Sequence, residues 1–141
     1  MVTIYTEEKF KALQKKANDD LTLTPDNIQK KNLDIPVLHS KYLSLYLSQR
    51  KILKQIEGDI NREKRKKFNQ YKFNHDVSLN NITEINLHID GDEEMIELCR
   101  LYHNQEGVVE FLKNTVSQFS KMGFAIKSHI EFEKLRNGII N

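Results

Sequence analysis

The sequence predicts an all-α or mostly α protein, and three observations point to that class. Only two prolines and five glycines interrupt its 141 residues. Lys, Glu, Leu and Ile, which all occur in ordinary helices, are abundant. Two long stretches also place apolar residues three and four positions apart, the spacing that lines one face of a helix. The length fits one domain, residues 1–141, and the low hydrophobic fraction of 38% favours association between copies of the chain.

The N-terminal quarter predicts two short helices. Thr6 is expected to cap the first, because its hydroxyl oxygen accepts a hydrogen bond from a free backbone N–H of the first turn. Thr24 and Pro25 predict the start of the second, since a capping residue followed by proline is typical of a helix beginning. We expect Pro36 to end this helix, because proline removes a backbone hydrogen bond.

Residues 36–72 predict a long amphipathic helix. Apolar residues recur at helical spacing from Leu38 to Ile60, and lysines and arginines fall mostly on the opposite side. Lys and Arg side chains bind the phosphates of a nucleic acid, and Phe and Tyr rings stack on the bases of a single strand. The helix is therefore a candidate nucleic-acid-binding element, with a solvated or protein-paired helix end as the alternative. The candidate contacts are Lys54, Arg62, Lys64, Arg65, Lys66, Lys67, Tyr71 and Lys72.

Residues 73–94 predict an acidic loop. Residues 73–99 contain seven acidic residues and no Lys or Arg, so charge is strongly segregated although the net charge is only +2. Composition predicts a loop at residues 74–81, and the alternation of apolar residues over 85–89 predicts a short strand or extended arm. The Asp-Gly-Asp sequence at 90–92 fits a hairpin turn or a helix cap, and the acids after it favour the cap.

Residues 95–138 predict an assembly region. Apolar residues recur at near-heptad spacing from Met95 onward. We expect Gly123 to end this second long helix, because glycine often adopts the left-handed conformation that follows a helix. A short terminal helix would then cover residues 124–136. The apolar side chains at this corner exceed what a small monomer readily buries, which predicts a subunit interface at Phe119, Phe124, Ile126 and Ile130.

Several features narrow the classes of function. One cysteine, no signal-peptide core and no apolar run of about 18–20 residues predict a cytoplasmic protein without a membrane span. Gly-rich phosphate loops and zinc-type ligand pairs are absent, and the acids near Asp90 lack the later ligands of a calcium loop. We expect no catalytic residues, no metal and no cofactor. A divalent-metal nuclease built on those acids is the enzymatic alternative.

Three strings of the sequence are similar to those of a known family. They are His-Ser-Lys-Tyr-Leu at 39–43, Lys-Arg-Lys-Lys-Phe-Asn-Gln-Tyr at 64–71 and Gly-Phe-Ala-Ile-Lys at 123–127. With them the chain resembles the UvsY family, the recombination mediators of T-even-type bacteriophages. The resemblance extends over residues 20–136 and is weakest between residues 72 and 92.

The resemblance implies a non-enzymatic protein of the infected bacterial cell that forms a homo-oligomeric ring of the hexamer or heptamer class. It implies binding of single-stranded DNA and loading of the phage recombinase onto DNA covered by the phage single-strand-binding protein. The family's basic pair falls on Arg65 and Lys67, with the order of Lys and Arg reversed. Gln70 replaces the first of two family tyrosines, so Tyr71 is left for stacking, with Phe73 as a substitute. A helical oligomeric scaffold that binds only protein is the alternative.

Overall fold

The computed structural model describes residues 4–73 and 82–138, which form four α-helices and no β-strand. The helices are α1 (Glu7–Leu21), α2 (Ile28–Phe73), α3 (Ile82–Asp90) and α4 (Glu93–Arg136). The predicted all-α class is therefore confirmed. The loop predicted at residues 74–81 lies outside the described residues.

The helices build two compact units, each with its own hydrophobic core. The terminal unit comprises residues 5–48 and 108–138, and the middle unit comprises Ile4 and the described residues 49–73 and 82–107. Both long helices contribute to both units, since α2 passes from the terminal into the middle unit and α4 passes back. The candidate DNA-binding end of α2 belongs to the middle unit.

The core of the terminal unit forms around Tyr42, which is fully buried. Its ring stacks on Phe119 with centroids 5.2 Å apart, and its hydroxyl donates a 2.7 Å hydrogen bond to the Asp20 carboxylate. Burial, together with that carboxylate, raises the pKa of Tyr42, so the phenol is a neutral donor at neutral pH. The other buried members of the cluster are Leu13, Ala17, Val108, Leu112, Met122 and Ile126.

The break expected at Pro36 does not occur, and α2 continues through it. Proline inside a helix removes one backbone hydrogen bond and costs roughly 3 kcal/mol. Ile35 and Leu38, on either side of it, pack against the core of the terminal unit. The apolar contacts that continue the helical stripe therefore outweigh the local cost of the proline.

The break expected at Gly123 is also absent, because α4 is continuous from Glu93 to Arg136. Met122 and Ile126 lie four residues apart on one face, and both are buried in the core of the terminal unit. Ending the helix between them would separate these two side chains. The glycine that adopts the left-handed conformation is Gly138, with φ 73°, just after the end of α4.

The strand expected over residues 85–89 is a helix, α3. Ile85 and Ile89 are each 3% exposed, whereas Leu87 is 67% exposed. An i, i+4 pair lies on one face of a strand and also on one face of a helix, so the apolar pattern did not separate the two structures. In a strand Leu87 would lie on the same face as Ile85 and Ile89, whereas in a helix it points away from them, as its exposure shows.

Candidate nucleic-acid interface

The end of α2 is held in place by the core of the middle unit. Ile85 and Ile89 of α3 and Met95 of α4 form the buried centre of this core. Four partly buried side chains pack around them: Ile60, Phe68, Tyr71 and Leu98. Since three of these belong to the last turns of α2, the core fixes which side of that helix faces solvent.

The solvent side of α2 in the middle unit is strongly basic. At about 100° per residue, six exposed basic side chains fall within about 120° of one another around the helix axis. We call this surface the basic face. Its members are Lys51, Lys54, Arg62, Arg65, Lys66 and Lys72.

Two members of the basic face pair with acids on the same helix. Lys54 Nζ lies 3.4 Å from the Glu57 carboxylate, and Arg62 pairs with Asp59. Exposed pairs of this kind contribute about 0–1 kcal/mol, so a phosphate competes with them easily. Arg65 and Lys66 form no salt bridge with any carboxylate of the described residues. Lys51 and Lys72 likewise form none with a described carboxylate, so four of the six charges of the basic face are available to a polyanion.

Aromatic rings accompany the basic face at its C-terminal end. Phe73 is 69% exposed, and the Lys72 ammonium lies 5.2 Å from the centroid of its ring. Tyr71 is half-buried against the core of the middle unit, and its ring centroid lies 5.5 Å from that of His88. Of the two candidate stacking residues, the structure thus presents Phe73 to solvent and turns Tyr71 inward.

Lys67 points in another direction from the basic face and is only 13% exposed. Its ammonium lies 3.0 Å from the Glu94 carboxylate and 3.4 Å from one oxygen of Asp92. The other Asp92 oxygen accepts hydrogen bonds from the backbone N–H groups of Glu94 and Met95, at 3.0 and 3.3 Å. The cap predicted at residues 90–92 is confirmed, and Lys67 ties it to α2.

The charges of this contact reinforce one another. The hydrogen bond to Glu94 raises the pKa of Lys67, against the effect of burial. Burial alone would raise the pKa of Asp92, but the hydrogen bonds from Met95, Lys67 and Glu94 together lower it. Both groups are therefore charged at neutral pH.

Arg65 and Lys67 consequently have different surroundings. Two residues correspond to about 200° around a helix, so the two side chains leave α2 in nearly opposite directions. Arg65 is exposed, whereas Lys67 is held by the N-terminus of α4. A phosphate contact by Lys67 stays a prediction, and it would compete with the pairs that Lys67 already makes.

Replacing Lys67 with Met should lower the melting temperature by several degrees at pH 7, because Asp92 and Glu94 lose their partner. Asp92 has a lower pKa in the folded chain than in the unfolded chain, so its stabilising effect is complete above its ordinary value of about 3.9. That effect is lost as the pH falls through the folded-state pKa. The difference between the variant and the wild type should therefore shrink in acid, as measured by circular dichroism.

The matched control is Lys64→Met, which removes an exposed charge three residues away on the same helix. It should leave the melting temperature nearly unchanged at every pH. A Lys67→Met effect that is equally large at pH 7 and at pH 3 would contradict the role assigned to the pair with Asp92.

A groove that the sequence did not predict lies between α2 and α3 in the middle unit. Its volume is about 510 Å³. The α2 wall carries Lys64, Arg65 and Phe68, and the α3 wall carries Asn86, Ile89 and Asp90. The expectation of a strand over residues 85–89 hid the α3 wall, because Asn86 and Ile89 lie on opposite faces of a strand but on one side of a helix.

The four residues predicted at a subunit interface separate into two pairs. Phe119 is fully buried and Ile126 is 1% exposed, both in the core of the terminal unit. Phe124 is 75% exposed and Ile130 is 37% exposed. Two further apolar residues near the end of α4, Phe132 and Leu135, are 61% and 68% exposed. Only the exposed residues are available to a partner.

Two other kinds of site are missing from the part of the chain that the structure describes. No cluster of three or more His, Cys, Asp or Glu side chains has the arrangement of a metal site there. None of the described helices is long and apolar enough to cross a membrane.

The fold and the site define an all-α chain with a strongly basic helix face. A family described as "Recombination, repair and ssDNA binding protein UvsY" matches residues 16–139, and the chain belongs to this family. Membership in the family supports a role in recombination. No curated protein sequence matches the chain.

Crystal structures of the recombination mediator protein UvsY of bacteriophage T4 share the fold. The lattice type IV structure superposes with a TM-score of 0.79 at 16% identity and covers 90% of this chain and 98% of that one. The lattice type II structure has a TM-score of 0.76 at 17% identity, with 90% of this chain and 96% of that chain covered. The lattice type I structure has a TM-score of 0.73 at 17% identity, with 89% of this chain and 98% of that chain covered. At this identity the likeness establishes the fold.

Proposed function

We propose that this chain is a recombination mediator that binds single-stranded DNA through the basic face of α2. It promotes loading of the phage recombinase onto DNA covered by the phage single-strand-binding protein. The observation that carries the proposal is the position of Arg65 and Lys66. Both are exposed on the same side of α2 as Lys72 and Phe73, about two turns before them, and neither forms a salt bridge with a described carboxylate. Cations beside an exposed ring suit phosphates and an unstacked base.

The proposed contacts are of two kinds. Lys54, Arg62, Arg65, Lys66 and Lys72 bind phosphates directly, and Lys64 does so from outside the basic face, beside the groove. Lys67 acts indirectly, because its pairs with Asp92 and Glu94 keep the end of α2 against α4. Tyr71 likewise supports the site from within, while Phe73 offers the stacking surface.

The mediator works as a homo-oligomeric ring in this proposal. One basic face makes only a few exposed contacts, each of modest strength. Repeating it around a ring turns later contacts with the same strand into intramolecular events, which raises affinity by about 10² to 10⁴. DNA held in this way would be presented to the recombinase in an extended, accessible form. The exposed apolar residues near the end of α4 are the proposed subunit contacts.

Binding of a mixed-sequence oligonucleotide should fall steeply with salt. Each neutralised phosphate contributes about −0.7 to the log–log slope on a single strand. Three or more contacts by the basic face should therefore give a slope steeper than about −2 in fluorescence anisotropy titrations. A flat salt dependence would exclude a mechanism based on phosphates.

A scaffold that binds only protein is the competing function, and one observation bears on it. That function would use the basic and acidic segments to pair different chains. In the structure, the acids Asp92 and Glu94 pair with Lys67 of the same chain. Two of the acids that such a scaffold would need are therefore already paired within the chain, which favours the DNA-binding proposal.

A further inference from the structure

We infer that the groove between α2 and α3 receives one unstacked base of the bound strand and prefers a base with an exocyclic amine, such as cytosine, over thymine. This inference rests on the proposed binding of single-stranded DNA. It adds a base preference to a surface whose other contacts, with phosphates and by stacking on Phe73, do not depend on the identity of the base. Three features of the groove carry it: its size, the charges on its two walls and the position of Asp90.

The size of the groove fits a small ligand. Its volume of about 510 Å³ lies within the range of roughly 300–1,000 Å³ that is usual for ligand pockets. Ile89, which is 3% exposed, lines the groove, and so does the half-buried ring of Phe68. A base entering the groove would therefore meet an aromatic ring and an aliphatic surface, as bases do in other single-strand sites.

The two walls carry different chemistry. Lys64 and Arg65 on the α2 wall suit the phosphates on either side of the inserted base. Lys72, whose ammonium lies 5.9 Å from the Phe68 ring centroid, adds a third cation. On the α3 wall, Asn86 and Asp90 lie four residues apart on one side of the helix. The strand backbone is thus expected along α2 and the base edge toward α3.

Asp90 gives the groove its preference. An ionised carboxylate only accepts hydrogen bonds, so it favours a donor such as the cytosine N4 amine. Thymine has an oxygen acceptor, O4, at the position of that amine, and this oxygen would face the carboxylate unfavourably. Asn86 both donates and accepts, so it adapts to either base.

The position of Asp90 is otherwise unfavourable. It is the last residue of α3, where a negative charge opposes the helix dipole. It forms no salt bridge with Lys64 or Arg65, although all three line the same groove. The carboxylate is therefore exposed to an incoming ligand, at a place where it does not stabilise the helix that carries it.

The test compares oligo-dC with oligo-dT of equal length on the full-length protein at one salt concentration. We expect oligo-dC to bind about fivefold tighter or more, the lower end of what a specific base contact gives. Asp90→Asn should reduce this ratio to below about twofold, because an amide also donates to thymine. Glu93→Gln is the control, since it removes one nearby negative charge outside the groove and should keep the ratio unchanged.

Each outcome has a distinct meaning. Tight, salt-dependent binding with equal affinities for the two oligonucleotides would overturn the groove inference and leave the proposed function standing. A preference for oligo-dC that Asp90→Asn reduces no more than Glu93→Gln does would also overturn it. Failure of both oligonucleotides to bind would instead overturn the proposed function.

Discussion

Replacing Arg65 and Lys66 together with alanine is expected to weaken binding of a short single-stranded oligonucleotide about twentyfold at 0.1 M monovalent salt. Each lost phosphate contact removes about 0.7 from the log–log salt slope, so two contacts remove about 1.4. Both side chains are exposed and form no salt bridge with a described carboxylate, so the fold should be unaffected. Fluorescence anisotropy measures the affinity, and circular dichroism checks the helix content.

The matched control replaces Lys9 and Lys15, two exposed lysines of α1, with alanine. It changes the net charge of the protein by the same amount without touching the basic face. Comparable affinity losses in the two double variants would mean that the binding is a general effect of net charge. Unchanged affinity in the Arg65 and Lys66 variant would place the phosphate contacts elsewhere.

A longer oligonucleotide sharpens this comparison. On a strand that spans several subunits, the losses of the engaged subunits should multiply. The ratio between variant and wild type should therefore grow with oligonucleotide length. A length-independent ratio would indicate that only one subunit engages the strand.

Replacing Phe124 and Leu135 with glutamate should convert the proposed ring into smaller species in sedimentation experiments. These side chains are 75% and 68% exposed, so the substitutions leave the core of the terminal unit intact. The new charges would be costly to bury against a second copy of the chain. Loss of the ring should also lower the affinity for long oligonucleotides by about 10² or more, while short ones bind as before.

Substitution at these positions is more informative than removal of the end of α4. A chain ending near Lys121 would lose Met122 and Ile126, which are buried in the core. A smaller species could then result from unfolding as well as from loss of assembly. The control places glutamate at Asn114 and Ser117, two exposed polar positions of α4. If the Phe124 and Leu135 variant keeps its full size, the subunit contacts lie elsewhere, most simply along the apolar stripe of residues 38–60.

Local sequence determined the class of fold and the basic face of α2. Scarce breakers and apolar residues at helical spacing were enough to predict the long helices. The basic run of residues 62–67 was visible in the sequence, and so was the side of the helix that most of it occupies. The cap at the start of α4 followed from Asp92 and the acids after it. These features depend on neighbours within one helical turn.

Tertiary structure decided what depends on partners distant in sequence. It carried α2 through Pro36 and α4 through Gly123, because side chains on both sides pack against the core of the terminal unit and outweigh the local signals. It divided the basic run by turning Lys67 toward Asp92 while Arg65 stays exposed. It also placed Asn86 and Asp90 opposite Arg65 in one groove. The physical reason is that charge and spacing fix a helix and its faces, whereas packing chooses which charge meets solvent and which meets a carboxylate.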